Sequence, residues 1–443
     1  MPLARLWSSK NDTTMAASSV RGTTRCSTVD YITRGMYVGL SLVYPHKLDR
    51  TRLSRTLTEV LEQYSIFTGR YISFGTQTVI AHGTGAVVLQ YEESSRSIRE
   101  LEELAQTAEA SLLAPRISHP RILLGRAALL VAKLTSAADG CVLTVMWDHV
   151  LGDLHSGMLL MRAWAAAYGD LPFECPALVP DRQAYLDEHM PDPPEARSAV
   201  RASSFTTLAR WAYFFARPES CLYLDYTWDQ LHAIRDAFTG SKRVSINDAV
   251  CANLHVVMRR LSGTIEPTNL CLCVNYRKRL SMPGNIMGNL VTLIHQPVEE
   301  VDDAPMVAAA LRQRLDDFAS KHSDYRATMR VFDAHRSQLD RFRIVPRYFE
   351  PGRGDMMVSN VDRCGAYDLR FGASGPTFFC PITFGMSRLR PGIAVVFELP
   401  RQTGLRFTMG MTKKLATRLT SPEGQALLSR GESRWVPVQR SLS

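Results

Sequence analysis

Long apolar runs are missing from this chain. Its longest, such as AALLVA at 127–132, stops well short of the roughly 18–20 residues that a bilayer-crossing helix requires, so neither a transmembrane helix nor a membrane partner is expected. Nine cysteines are scattered without any CxxC, and only Cys271 and Cys273 lie close together. That spacing signals neither a disulfide framework nor a zinc finger, and it leaves the cysteines to be read mostly as buried thiols. A long Lys/Arg run is also lacking. The formal charge of +9 comes from 52 Lys and Arg against 43 Asp and Glu, spread in short groups such as RKR at 277–279. Without basic and aromatic residues interleaved, nucleic acid is not expected, whereas a phosphate-bearing small molecule suits the charge. The opening MPLARLWSSKNDTTMAASS has no apolar core of a secretory signal, and its Arg5 and Lys10 are accompanied by Asp12. It reads as an intracellular arm, so the expected location is the cytoplasm. The nucleophile elbow GxSxG is absent as well: GASG at 372–375 is one residue short, and no cysteine adjoins a histidine.

What is present is an ordinary globular composition. At 443 residues, 45% hydrophobic and 21% charged, the chain is long enough for two to three domains. MYVGLSLVY at 36–44 predicts a strand, and 48–64 places Leu53, Leu57, Val60, Leu61 and Tyr64 at helical spacing. Strands follow near 77–80 and 86–91, a helix near 97–112, a strand near 122–134, a buried strand CVLTVMW at 141–147 and a helix at 157–168. Residues 169–200, with six prolines, predict a connection rather than a packed element. Beyond it, Ser245 and Asp248 form a capping-box pattern ahead of a helix to 261. A strand near 268–275, a helix near 304–320, strands near 393–399 and 404–410 and a helix near 411–428 complete a second mixed half.

The densest chemistry lies in WDHVLGDLHSG at 147–157. Metal binding by His149, Asp153 and His155 would need an irregular turn, because residues four apart share a helix face and residues six apart do not. No metal is therefore expected. A second reading makes His149 a hydrogen-bonded histidine at a strand end, with Asp153 capping the next helix. A third makes His149 a base, since an imidazole with a pKa of about 6.5 can take a proton from an alcohol or amine near neutral pH. A strand end fixes the backbone of such a base while its side chain projects.

The stretch resembles the signature of the BAHD acyltransferases and their fungal relatives, in which HxxxDG is followed by Ser and then Trp-Ala. His149 and Asp153 hold the HxxxD positions, Ser156 follows three after the acid, and Trp164 and Ala165 follow eleven and twelve after it. FTGRY at 67–71, NYRKR at 275–279, MGNL at 287–290, YDLRFGASGP at 367–376 and the segment 393–419 resemble further family motifs in the same order. The resemblance spans about residues 28–430.

It implies an α/β chain of the two-domain chloramphenicol-acetyltransferase-like fold, each domain a mixed sheet with flanking helices, with the active-site channel between them. Residues 1–180 would form the first domain, 181–204 a crossover linker and 205–443 the second, with about 356–378 packing on the first. The function implied is O-acylation of a secondary-metabolite hydroxyl by acyl-CoA, as co-substrate rather than bound cofactor, in a monomer. His149 would be the general base and Asp153 the support of its loop, paired with Arg277 or Arg279, while Gly372 belongs to a supporting motif. With no serine elbow, direct attack without a covalent acyl-enzyme is expected. Ser241, Lys242 and Ser245 are the candidates for the nucleotide end of CoA, because a positive group and hydroxyls precede a helix start. Leu154 stands where the family has Gly, and Arg370 where it has Asp. Those departures keep open a diverged enzyme of cyclisation or elimination, or a catalytically silent binding protein. A peptide-synthetase condensation domain shares the fold class but carries two adjacent histidines, where this chain has Asp148 before His149.

Overall fold

The computed structural model describes residues 12–428 apart from 75–76, 119–120, 122–125, 216–218, 239–243, 300–302, 336–343, 351 and 384–390. The chain divides into two compact units. One runs to His189 and takes in Met282–Leu290 and the segment from Arg363 to Ser387; the other comprises Met190–Ser281, Val291–Asp362 and the chain from Arg388 onward.

The first unit is built on a six-stranded sheet in the spatial order Asp12–Ala16, Val87–Glu93, Leu130–Ser136, Cys141–Asp148, Tyr37–Tyr44, Phe378–Thr383. Cys141–Asp148 is buried at all eight positions, which is why it reads as a continuous apolar run rather than an alternating one. It pairs antiparallel with both neighbours, Leu130–Ser136 and Tyr37–Tyr44. Helix Leu154–Tyr168 follows three residues after a short 3₁₀ turn, His149–Leu151, and packs against helix Arg50–Gln63. Trp164 is wholly buried, and its indole N–H donates to the Leu53 carbonyl over 3.2 Å. The tryptophan that the spacing singled out is therefore a core residue.

The second unit holds a six-stranded sheet in the order Glu219–Thr227, Gly404–Thr412, Ile393–Glu398, Met356–Asn360, Thr268–Asn275, Val291–Val298. Helix Ile246–Ser262 packs against Ala304–Asp316 and is started by the reciprocal cap of Ser245 and Asp248.

Several elements differ from the sequence reading. Residues 169–200 are not wholly a connection, because they contain helix Arg182–His189, whose first residue is buried. The helix expected over 97–112 is Ile98–Ala105 followed by a 3₁₀ segment, Ala108–Leu113. Of the strand expected near 122–134, residues 122–125 lie outside the described residues, and the strand that is described is Leu130–Ser136. The helix expected at 411–428 is two, Lys413–Leu419 and Pro422–Leu428, since a proline cannot donate the backbone bond needed inside a helix.

Candidate active site

The buried strand delivers His149. Tyr37 faces Asp148 at the end of the ladder, and His149 N–H then donates to the Met36 carbonyl at 2.7 Å, extending the pairing by one residue. The Asp148 side chain turns back as a cap. Its carboxylate accepts from Val150 N–H at 3.0 Å and from Gly35 N–H at 3.0 Å, which forces the chain out of the sheet into the 3₁₀ turn. Burial pushes this carboxyl up to about 7, against the pull of those two amides and of Arg34.

Every carbonyl from 149 to 152 has a partner. Asn289 Nδ2 donates to His149 O at 2.7 Å. Arg182 donates through Nη1 to Val150 O at 3.2 Å and through Nη2 to Leu151 O at 2.9 Å. The Trp147 indole donates to Gly152 O at 3.0 Å. Such a turn ordinarily leaves its last carbonyls unsatisfied, so a buried turn with every carbonyl paired is a fixed one.

The His149 ring is half-buried. Its Nδ1 is enclosed without a hydrogen-bond partner, while Nε2 is not enclosed and has no bond to a described residue. The open edge of the imidazole is the Nε2 edge, mounted on a turn whose carbonyls are all hydrogen-bonded. That is the geometry a proton-accepting group needs.

Asp153 is buried and points into the protein. Its Oδ1 accepts from Ser156 N–H at 3.1 Å and Ser156 Oγ at 3.0 Å, and its Oδ2 accepts from Leu290 N–H at 3.1 Å. It is the N-cap of helix Leu154–Tyr168 and ties that helix to the segment Met282–Leu290. His155 Nε2 meets the Gly284 carbonyl at 2.6 Å, so it faces that carbonyl while the Asp153 carboxylate is engaged with Ser156 and Leu290. Among the described residues no group of three or more His, Cys, Asp or Glu is placed to hold a metal ion.

The turn accommodates Leu154 because that residue is the first of the helix, where a β-carbon is ordinary. The demanding position is Gly152, with φ at +150° and a would-be Cβ only 2.5 Å from Ser156 Oγ. Gly372 has φ of +99° and follows Phe371, whose buried ring lies edge-on to Trp164 at 5.2 Å between centroids. The carbonyl of Phe371 meets His46 Nε2 at 2.8 Å. This motif therefore anchors the chain in the first unit's core, and Arg370 beside it is exposed.

In the second unit, Arg277 and Arg279 stand on a helical turn, Tyr276–Arg279, that follows strand Thr268–Asn275, not on the strand itself. Arg277 is buried, with Asn275 Oδ1 accepting its backbone N–H at 2.9 Å. Arg279 donates to the Leu315 carbonyl at 2.6 Å. Ser245 accepts from Asp248 N–H at 3.2 Å, and Arg312 pairs with the Asp248 carboxylate. Ser241 and Lys242 lie outside the described residues.

Sequence reasoning missed Asp30 and Arg182 and gave Asn289 no role. The Ser27–Asp30 capping box is visible in the sequence and is present, but it announces only a local duty. Nothing local links Asp30 to Asn289, whose side chain donates to Asp30 Oδ1 at 2.8 Å across 259 positions.

A protein-family model described as Transferase family matches residues 10–397. No curated protein matches the chain. Among solved structures, F. graminearum TRI101 complexed with ethyl coenzyme A aligns with a TM-score of 0.75 at 16% identity, over 92% of this chain and 99% of that one. The same protein complexed with coenzyme A and deoxynivalenol gives 0.74 at 17% identity, over 91% and 98%. Vinorine synthase gives 0.68 at 18% identity, over 94% and 97%. At such identities the likeness shows a shared fold.

Proposed function

Because the chain belongs to the Transferase family, that of the BAHD acyltransferases, we propose that it transfers an acyl group from acyl-CoA to a hydroxyl of a secondary metabolite, with His149 as general base. The family's two-domain chloramphenicol-acetyltransferase-like fold is the one found here. The observation that carries the reading of His149 is its mounting: a half-buried ring with Nδ1 enclosed and Nε2 open, on a turn whose carbonyls are all held.

In the proposed step the acceptor hydroxyl attacks the thioester carbonyl as His149 Nε2 takes its proton. The C–O bond forms, and the carbonyl pair moves to oxygen. The tetrahedral oxyanion then collapses and breaks the C–S bond, and the imidazolium returns its proton to the leaving CoA thiolate. General-base help of this kind contributes about 10²–10⁴-fold, and alignment of the two substrates supplies much of the remainder. Asp153 supports the loop, and Arg277 and Arg279 are proposed as supporting residues. The stretch containing Ser241, Lys242 and Ser245 is assigned to the phosphates of CoA. TRI101 has been crystallised with coenzyme A and deoxynivalenol, which makes polycyclic alcohols the first acceptors to try.

The test is free-thiol release from acetyl-CoA with a panel of hydroxylated terpenoid and polyketide acceptors, comparing wild type with His149→Ala. The expectation is acceptor-dependent thiol release that falls by about 10²-fold or more in the variant. No release with any acceptor, together with no binding of CoA, would remove the transferase reading. Equal rates in both proteins would remove His149 from its role.

A further inference from the structure

We propose that Arg182, braced by Asp30, is a positioning residue for His149; the inference rests on the reading of His149 as general base. Arg182 and Asp30 are almost completely buried, at 4% and 0% exposed, and Arg182 Nη1 lies 3.2 Å from Asp30 Oδ2. An ion pair taken out of water gains little or nothing in stability over apolar side chains of the same volume. Its geometry shows where it acts instead.

The guanidinium presents one planar fork to three acceptors: Asp30, Val150 O and Leu151 O. Asp30 in turn holds Asn289 at both its backbone N–H, 3.2 Å, and its Nδ2, 2.8 Å, and that same Nδ2 reaches His149 O. Three consecutive carbonyls, 149, 150 and 151, are thus tied to one buried carboxylate through two side chains. Asp30 is itself fixed by accepting from Ser27 N–H at 2.9 Å. Rotation of the turn at His149, which would swing the imidazole, must break bonds to Arg182 or Asn289. A lysine could keep the charge but not the fork, because its ammonium is a point donor on a flexible stem.

The experiment uses the full chain with Arg182→Lys. A paired Asp30→Asn/Arg182→Met variant accompanies it, removing both charges together so that neither is left buried alone. The first readout needs no turnover: hydrogen exchange in the peptide covering 148–157. Exchange there should rise at least about tenfold, as expected when local opening is eased, while strand Tyr37–Tyr44 stays protected. The second is kinetic. kcat should fall by roughly 10²-fold, as a misplaced catalytic group costs, with KM for acetyl-CoA within about twofold. In a His149→Ala background the same substitution should lower the residual rate no further, since two residues acting as one unit are non-additive. Wild-type protection of 148–157 in both variants, or an equal proportional loss with and without His149, overturns the proposal. Full activity of His149→Ala alone would instead overturn the general-base reading, leaving the exchange measurement to decide the hold on the turn.

Discussion

Asn289 Nδ2 lies 2.7 Å from the carbonyl oxygen of His149, joining residues 140 positions apart. Asn289 is 2% exposed, and the same amide also donates to Asp30 and Thr33. Asn289→Ala would remove one donor from Asp30 Oδ1, which keeps the backbone N–H of residue 289, and one from the His149 carbonyl, which keeps Gly152 N–H. The expected cost is about 1–3 kcal/mol of stability, the usual worth of a lost hydrogen bond to a buried carboxylate, read as a shift of the denaturant midpoint. Loss of activity should exceed what the unfolded fraction explains, because the His149 backbone is released.

Gly152 and Leu154 should respond in opposite senses to what the resemblance suggests. Gly152→Ala places a β-carbon 2.5 Å from Ser156 Oγ at φ of +150°, and a loss of about 1–3 kcal/mol is expected from such forced backbone. Leu154→Gly restores the family residue at a first helical position. It should lower stability by at most about 1 kcal/mol and should not raise kcat; a large gain in activity would show that the leucine obstructs the turn. Thermal melts and acyl transfer rates of the two variants check both.

Asp153 should not tolerate its amide. Both carboxylate oxygens accept, from Ser156 on one side and Leu290 on the other, so Asp153→Asn must turn an N–H₂ toward a backbone N–H. A loss of about 1–3 kcal/mol follows from the orphaned donors, together with weaker hydrogen-exchange protection at Leu290. Unchanged protection there would contradict the tie between helix and segment.

Asp148 makes stability depend on pH. Its carboxyl is raised from 3.8 to about 7, first by burial, so between those values the folded protein holds a proton that the unfolded chain has released. The group's contribution is fully present below pH about 4 and is lost as pH rises through about 7. Histidines such as His82, which burial lowers to about 4, act in the opposite sense and cancel when variants are compared. Relative to wild type, Asp148→Asn should therefore gain roughly 2–4 kcal/mol between pH 4 and pH 8. Denaturant unfolding at several pH values would show it, and parallel curves for the two proteins would refute the shift.

Local chemistry made much of the fold legible. The apolar run 141–147, the helical spacing of Leu53, Leu57, Val60 and Leu61, and the cap Ser245–Asp248 each depend on neighbours within a few residues, and each is present. The boundary errors have local causes too. Asp153 starts its helix at Leu154 because its carboxylate caps Ser156 N–H, three residues earlier than the apolar pattern begins. Pro422 divides the last helix because it lacks an N–H.

The sequence by itself determined that a histidine would leave a buried strand with an acid four residues on, because strand and helix patterns are short-range. Only the tertiary structure decided what holds that histidine. Arg182 and Asn289, both bonded to the Asp30 carboxylate, come from distant parts of the chain and donate to the carbonyls of 149–151. Backbone carbonyls are present at every residue and have no periodicity, so the side chains that satisfy them leave no pattern in the sequence. Burial alone selects them, since a carbonyl removed from water must find a donor within the fold.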